Sequence, residues 1–433
     1  MKIIWKKDIA SDTVTLPMKL EHIVLSKQVK LHFGSWNKTL QVTYSDEIDN
    51  ESIILPLYLS DTFLLPIDLL YEARLEANNL FIGPVIGFLL SNKKEKLELL
   101  LEDFEDYLHN YSEIGGLIFV FSSDSVNKKN HTISGYYYDP SDGLEIWKSG
   151  IFPYPASMYR RTLIRNKLND HFNVVIGKEH FFNDKYYNKS KLHELLKNHN
   201  SIQKYLPETR LLTNNQILIN MLNKYNSVYL KPTRGSRGYG IVKIVKTQDG
   251  YDCIERSGKI LLFQTKKDVT QYLYQNIREG KYIVQQDVGF QKGKRNIDFR
   301  LMVQKNSLKK WELTAFIARY GLKNKIYTNN PSEVNQGIEA LQKMFELSNE
   351  ALTRKVQEII FMSMAIGNIF DQYGHYADLG IDIAIDQNMN IWILEVNHIF
   401  QGHDMAAYVG DDFKTYKRVL STLLGYLKTL AGF

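Results

Sequence analysis

Cysteine is almost absent: Cys253 is the only one in 433 residues. No intrachain disulfide can form, and such usage fits a reducing compartment. Long apolar runs are absent too. Nothing approaches the roughly 18 apolar residues of a membrane span. Met1-Lys-Ile-Ile-Trp-Lys-Lys-Asp8 has neither the apolar core nor the small-residue cleavage site of a signal peptide. The expectation is a cytoplasmic chain with no membrane partner. Charge of one sign is scarce as well. The net charge is +6, and no basic block with interleaved aromatics occurs. Nucleic acid is therefore not an expected partner. Internal repeats and low-complexity segments are missing.

What remains is ordinary for a globular protein: 44% hydrophobic and 24% charged residues. The length exceeds what one core usually holds, so two or three domains are expected. Residues 1–78 read as a small β-rich domain, with strands at Lys38–Tyr44 and Ile53–Leu59 broken by Pro17, Pro56 and Pro66. Residues 79–180 read as a small α/β domain. Leu80–Leu90 and Gly116–Phe121 are its buried strands. An amphipathic helix over Lys94–Tyr111 joins them, carrying Leu97, Leu100, Leu101, Phe104 and Leu108 on one face. Ile151–Ala156 is a proline-rich crossing, followed by a helix over Ser157–Asn169. Residues 181–433 hold helices at Ser190–Asn198, Asn214–Tyr225, Ser348–Tyr373 and Phe413–Ala431. Strands occupy Ser227–Ile244 and Lys281–Val303.

Near the C-terminus, Leu379-Gly-Ile-Asp-Ile-Ala-Ile-Asp386 and Ile391-Trp-Ile-Leu-Glu-Val-Asn397 form a hairpin pattern. A four-residue turn, Gln387-Asn-Met-Asn390, sets Asp382 opposite Glu395. Asn397 falls on the same face by strand alternation. Ile381, Ile383, Ile385, Trp392, Leu394 and Val396 form the opposite, core face. Two readings stay open for the polar face. It is a solvated edge, or it is a hard-oxygen site of the kind that suits Mg²⁺.

Ser227–Val245 reads strand, glycine-rich loop, strand, with Lys231 at the end of the first strand. Gly235, Gly238 and Gly240 allow close approach of an anion. No Gly-Lys-Ser/Thr follows, and Ile241-Val-Lys-Ile-Val245 is strand-like, so neither a P-loop nor a dinucleotide fingerprint fits. A protein kinase would need a His-Arg-Asp catalytic loop, which is missing. A plain hairpin turn and a phosphate cover both remain open for the loop alone.

Taken in order, the chain has a strand ending in Lys231-Pro, the glycine hairpin, Asp298-Phe-Arg300, and the Asp382…Glu395-Val-Asn397 hairpin. Together these resemble the ATP-grasp superfamily of carboxylate–amine ligases. The resemblance covers about residues 80–433. Gly83-Pro-Val-Ile-Gly87, Tyr205-Leu-Pro-Glu-Thr-Arg210, Gln285-Gln286 and Leu379-Gly-Ile-Asp382 make it most similar to the YheC/YheD group, the endospore coat-associated ATP-grasp proteins of Gram-positive bacteria.

The resemblance implies an α+β/α/β architecture. Two α+β lobes clasp ATP within 181–433, with the glycine-loop lobe over about 205–285. The α/β domain becomes a pre-ATP-grasp domain. The implied chemistry is ADP-forming ligation of a carboxylate and an amine through an acyl-phosphate, with ATP and Mg²⁺. The acceptor is an amino acid, a peptide or a protein tail. Spore association and spore-coat or peptide-pathway partners are implied as well, and a non-catalytic role in a spore coat is the alternative.

The resemblance also implies residue roles. Lys189 (with Lys185 and Lys191 as alternatives) and Lys231 meet the ATP phosphates beneath Gly235, Ser236, Gly238 and Gly240. Gln285, Gln286 and Val288 form the adenine hinge, with Asp287 near the ribose. Asp382, Glu395 and Asn397 hold the metal. Arg300 contacts phosphates or the acyl-phosphate, and Arg319 lies near the acceptor. Asp298 is either part of the site or a structural partner of an arginine. The sequence departs from relatives at Asn330–Asn335 and at His398–Asp404. His398 and His403 are acid–base candidates or surface histidines.

Overall fold

The computed structural model of the chain describes residues 1–22, 26–63, 65–141, 143, 146–235, 238–277 and 279–433. Four sheets follow one another along the chain. The first has seven strands, in the order 2–6, 52–56, 13–17, 36–45, 28–33, 79–83 and 72–76. The boundary expected at residue 78 falls inside this sheet. Its strand Asn79–Gly83 pairs in parallel with Gln28–Phe33. The expected single strand Leu80–Leu90 is in fact two, divided at Pro84, with Val85–Ser91 belonging to the next sheet. Proline has no N–H for a ladder, so the chain changes sheets there. The expected strand Ile53–Leu59 also ends early, at Pro56, and a short helix Tyr58–Phe63 follows.

The second sheet has the order 147–153, 132–138, 117–127, 85–91, 157–160 and 181–182. Val85–Ser91 and Leu117–Asn127 run parallel, as a βαβ unit requires. The connecting helix is not continuous. It breaks into Lys94–Glu98, Leu101–Glu105 and Tyr111–Ile114, with a 3₁₀ turn at Asp106–Leu108. Periodicity reports which residues are apolar but not where tertiary contacts bend the chain. Here the bend lets Tyr107 reach Arg161 and His403. The helix expected from Ser157 starts only at Asn166. Ser157–Arg160 is instead a strand buried on both faces and parallel to Val85–Ser91. A strand covered on both sides shows no alternation, which hides it from pattern reading.

The third sheet is antiparallel throughout, in the order 209–211, 282–286, 227–232, 242–246, 251–255 and 260–263. Helices Asn215–Tyr225 and Lys266–Asn276 pack on it through Leu218, Met221, Leu222, Val269 and Leu273. The fourth sheet has the order 333–336, 311–320, 295–305, 378–385 and 391–397. The 23-residue helix Asn349–Asp371, capped by Ser348, covers one face. Helix Lys414–Leu430 packs between the second and fourth sheets in one shared core with Ile86, Phe104, Tyr159, Ile317 and Ala406. No helix among the described residues is long and apolar enough to cross a membrane.

Asp382 does pair with Glu395, but by a different route from the one expected. The strands close at Ile385 and Ile391, so the turn holds five residues, and the register is off by one. A bulge between the Asp382 and Ile383 pairs then restores it. The bulge strand therefore presents different side chains to the core. Ile391, Ile393 and Val396 are buried there with Ile381, Ile383 and Ile385. Trp392 and Leu394, expected inside, are not. An extra residue in one strand turns the chain between the two faces.

Candidate functional site

The third and fourth sheets face each other across a cleft. One part is a cavity of about 660 Å³, reached by Lys189, Lys231, Ile283, Gln285, Leu394, Glu395 and Asn397. A smaller space of about 100 Å³ continues it, past Lys231, Gln285, Gln286, Val288, Asp298, Thr328, Asp382 and Leu394.

Lys189 is the first residue of helix Lys189–Lys197, whose N-terminus is capped by the Asn188 side chain accepting from Lys191 N–H. Leu192, Leu195 and Leu196 anchor the helix in the core. Lys189 Nζ lies 2.7 Å from Glu395 Oε1 and 3.0 Å from the Gly235 carbonyl. Lys185 instead donates to the Tyr373 carbonyl, and Lys191 lines a separate surface depression. Lys231 is the penultimate residue of strand Ser227–Pro232, and its Nζ donates to Gln285 Oε1 at 2.6 Å. Burial lowers the Lys231 pKa. Glu395 opposes that shift, and Lys189 adds to it. Lys189 thus pairs with Glu395 directly, while Lys231 feels the Glu395 charge across the cleft.

Gly235 sits at φ +125 and Gly240 at φ +73, where a Cβ would lie 2.9 Å from Pro232. Both conformations favour glycine. Gly238 is buried with φ +72. Ser236 lies outside the described residues. Arg256 is stacked between Tyr239 of this loop and Tyr327 of the opposite lobe, 4.4 and 4.5 Å from the ring centroids.

Gln285 is buried, and its Nε2 donates to Thr209 Oγ1 at 3.1 Å. Its side chain therefore orients Lys231. Gln286 is tied to Glu208 through both its backbone N–H and its side chain. Gln286 and Val288 both line the smaller space. Asp287, expected near the ribose, is paired with Lys243 at 2.6 Å and accepts from Ser227.

The fourth sheet carries a buried ionic quartet. Asp298 is the register partner of Arg319, and Arg300 that of Asp382. Arg300 holds both oxygens of Asp382, at 2.5 and 3.1 Å. Arg319 holds both oxygens of Asp298, at 2.7 and 2.6 Å, and also reaches Asp382 at 3.0 Å. Thr328 donates to Asp298. The Arg319 side chain is 1% exposed. The expectation that Arg319 meets the acceptor is therefore corrected, and neither arginine lines the cleft. Two buried carboxylates on neighbouring strands need cations, and these guanidiniums supply them. Burial alone would raise the Asp382 carboxyl, but Arg300 and Arg319 together hold it below the usual carboxylate range.

Asn397 Nδ2 donates to the Gly380 carbonyl at 3.4 Å. Among the described residues no trio of His, Cys, Asp and Glu side chains could hold a metal. The Asp382–Glu395–Asn397 set offers two carboxylates and an amide. That falls short of an all-protein cage and fits an ion that shares its coordination with phosphates, as Mg²⁺ does.

Both histidines beyond Asn397 are buried, contrary to a surface placement. His398 Nε2 accepts from Tyr187 N–H at 2.9 Å, and burial pushes its pKa down to about 4. His403 Nε2 lies 3.2 Å from both oxygens of Asp378, and its Nδ1 lies 2.5 Å from Tyr107 Oη. Sequence reasoning missed Leu394, Thr209 and Arg161. Leu394 reaches the cleft only because of the bulge. Arg161 follows a strand that reads as a helix, and its Nη2 holds the Gln401 carbonyl at 2.5 Å. Gln401 in turn donates to the Asn397 carbonyl.

The sequence profile of the YheC/D-like ATP-grasp family matches residues 178–430. The endospore coat-associated protein YheD of Bacillus subtilis (strain 168) is 25% identical over 413 residues, which cover 90% of this chain and 87% of that protein. The endospore coat-associated protein YheC of the same organism is 25% identical over 215 residues, 48% of this chain and 57% of that one. Among solved structures, the D-alanyl-alanine synthetase A of Vibrio cholerae aligns with a TM-score of 0.45 at 12% identity, covering 79% of this chain and 98% of that one.

Proposed function

This chain belongs to the YheC/D-like ATP-grasp family, and from that premise we propose that it is an ADP-forming ligase joining a carboxylate to an amine. The observation that carries the proposal is that Lys189, paired with Glu395 and reaching the Gly235 carbonyl, and Lys231, held by Gln285, line one cleft with Glu395, the register partner of Asp382. In this reading the adenine end lies against Ile283, Gln286, Val288 and Leu394, and the phosphates run past the two lysines. Asp382, Glu395 and Asn397 would hold Mg²⁺, which supplies charge neutralisation on the phosphates when bound.

A substrate carboxylate oxygen attacks the γ-phosphorus, the bond to the β-phosphate oxygen breaks, and ADP leaves. The amine nitrogen then attacks the acyl carbon. Its C–O bond breaks, inorganic phosphate departs, and the surplus amine proton passes to solvent. Phosphoryl transfer asks a protein mostly for positioning and charge. Lys189 and Lys231 supply the charge, Gln285 and Thr209 orient Lys231, and the buried quartet fixes Asp382. The glycine loop excludes water. The relatives' name, endospore coat-associated, brings a spore setting to the proposal.

The test is ADP release by the full chain with ATP and Mg²⁺, across carboxylates and amines offered singly and in pairs. Mass spectrometry then looks for products lighter than the reactants by one water. Release that needs both partners and disappears in Lys231→Met supports the ligase. ATP binding with no pair-dependent release would replace it with a nucleotide-binding coat component. A stable phosphorylated product would replace it with a phosphotransferase.

A further inference from the structure

A larger cavity, of about 1230 Å³, lies beside the nucleotide cleft. The two share Leu163, Tyr186, Tyr187 and Gly235 as walls. Among the charged residues lining it are Arg160 and Asp184. Arg160 ends strand Ser157–Arg160, and Asp184 follows the last strand of the same sheet. They are 3% and 9% exposed.

Arg160 is under-partnered. Its Nη1 donates to Asn169 Oδ1 at 2.7 Å, while its Nε has no acceptor. Asp184 acts on it through its field, yet no ion pair closes between them among the described residues. Asp184 accepts one backbone N–H, from His375 at 3.2 Å. Of the other lysines and arginines lining the cavity, Lys305 pairs with Asp371 at 2.8 Å, Lys185 donates to the Tyr373 carbonyl, and Lys178 and Arg234 are exposed, so Arg160 is the buried one with an unmatched donor among the described residues.

A guanidinium offers five donors in a planar fork that matches a carboxylate. A buried charge without its partner is costly, so a ligand that completes it binds with a large return. Asp184 beside it disfavours a simple anion and favours a ligand that also carries a cation. We propose that this cavity seats the amine substrate, an amino acid or short peptide, with its carboxylate on Arg160 and its ammonium toward Asp184. This rests on the ligase reading above. The wall shared with Gly235 places the ligand next to the loop that covers the phosphates. Burial pushes Arg160 down to about 10 and raises the Asp184 carboxyl. An opposite ligand charge relieves each shift. The volume exceeds a single amino acid and leaves room for a peptide.

Calorimetry on the full chain tests this, using the twenty standard amino acids and alanyl-alanine one at a time, with and without ATP and Mg²⁺. The tightest binder is then compared with its C-terminal amide and its N-acetyl form. At least tenfold weaker binding of both derivatives is expected. Arg160→Gln should remove the discrimination against the amide, and the isosteric Asp184→Asn that against the N-acetyl form. Arg160→Lys should restore part of the affinity. Asp184→Asn reads half of the site even if Arg160→Gln does not fold. No binding by any probe, or binding unchanged in both variants, overturns the site. Binding that follows these rules without ADP release keeps the site and removes the ligase reading. Pair-dependent ADP release unchanged in Arg160→Gln and Asp184→Asn keeps the ligase and removes the site.

Discussion

Asp382 and Glu395 face each other across one pair of strands, yet they live in different electrostatic worlds. The Asp382 side chain is 8% exposed and gripped by two arginines. Glu395 is 30% exposed and held by one lysine that also reaches the glycine loop. Asp382 is an anchor whose neighbours cannot leave without stranding a charge. Glu395 has a partner that can be handed to a phosphate.

The largest expected effect breaks the anchor. Arg319→Leu strands Asp298 and weakens Asp382, and should cost about 3–5 kcal/mol of stability in urea unfolding. Glu395→Gln should cost less than about 1 kcal/mol in the same assay. Equal losses would erase the distinction between the two carboxylates. The anchor also carries an acid limit. The folded Asp382 pKa is depressed, so its contribution is present above the unfolded carboxylate value and is lost as pH falls through the folded one. Arg300→Leu should shift that acid limb upward.

The next effect lies in turnover. Glu395→Gln and Lys231→Met should each lower ADP release by about 10²–10³-fold while the fold survives. Lys231→Met should not destabilise. Its folded pKa is lowered, so the charged form opposes folding, and stability rises with pH through that group. A destabilised Lys231→Met would show that this lysine is structural after all.

Leu394→Ala probes the bulge. The substitution should weaken nucleotide affinity by about 1 kcal/mol, through lost apolar contact, with little change in unfolding. A stability loss with unchanged affinity would place it in the core. The smallest effect is a pH slope. Only protonated Lys231 attracts phosphate, so ATP affinity should fall on the alkaline side, beginning below the roughly 10.4 of a free lysine. A flat profile between pH 8 and 10 would remove Lys231 from the phosphates.

Motif residues were legible because their chemistry is local. Lys231 ends a strand, glycines take positive φ, and Asp382, Glu395 and Asn397 stand at strand spacing. The fold was legible where periodicity was strong, as in Asn215–Tyr225 and Asn349–Asp371. It was not legible at Ser157–Arg160, where burial on both faces erases the pattern, nor at Lys94–Ile114, where contacts bend a regular helix signal. The Asp382–Glu395 pairing was anticipated from a four-residue turn. The five-residue turn and the compensating bulge leave that pair intact but exchange Ile393 for Leu394 in the core.

The amino-acid order by itself determined which groups carry charge, which positions demand glycine, and which strands end in Lys231 and Asn397. Those are properties of single residues and of spacing along one strand. Tertiary structure alone decided that Arg319 lies beneath the site, that Gln285 orients Lys231, and that the buried Nε of Arg160 is left without an acceptor beside Asp184. Each depends on which distant strands become neighbours, and desolvation there turns an ordinary charge into one that must be matched by its surroundings.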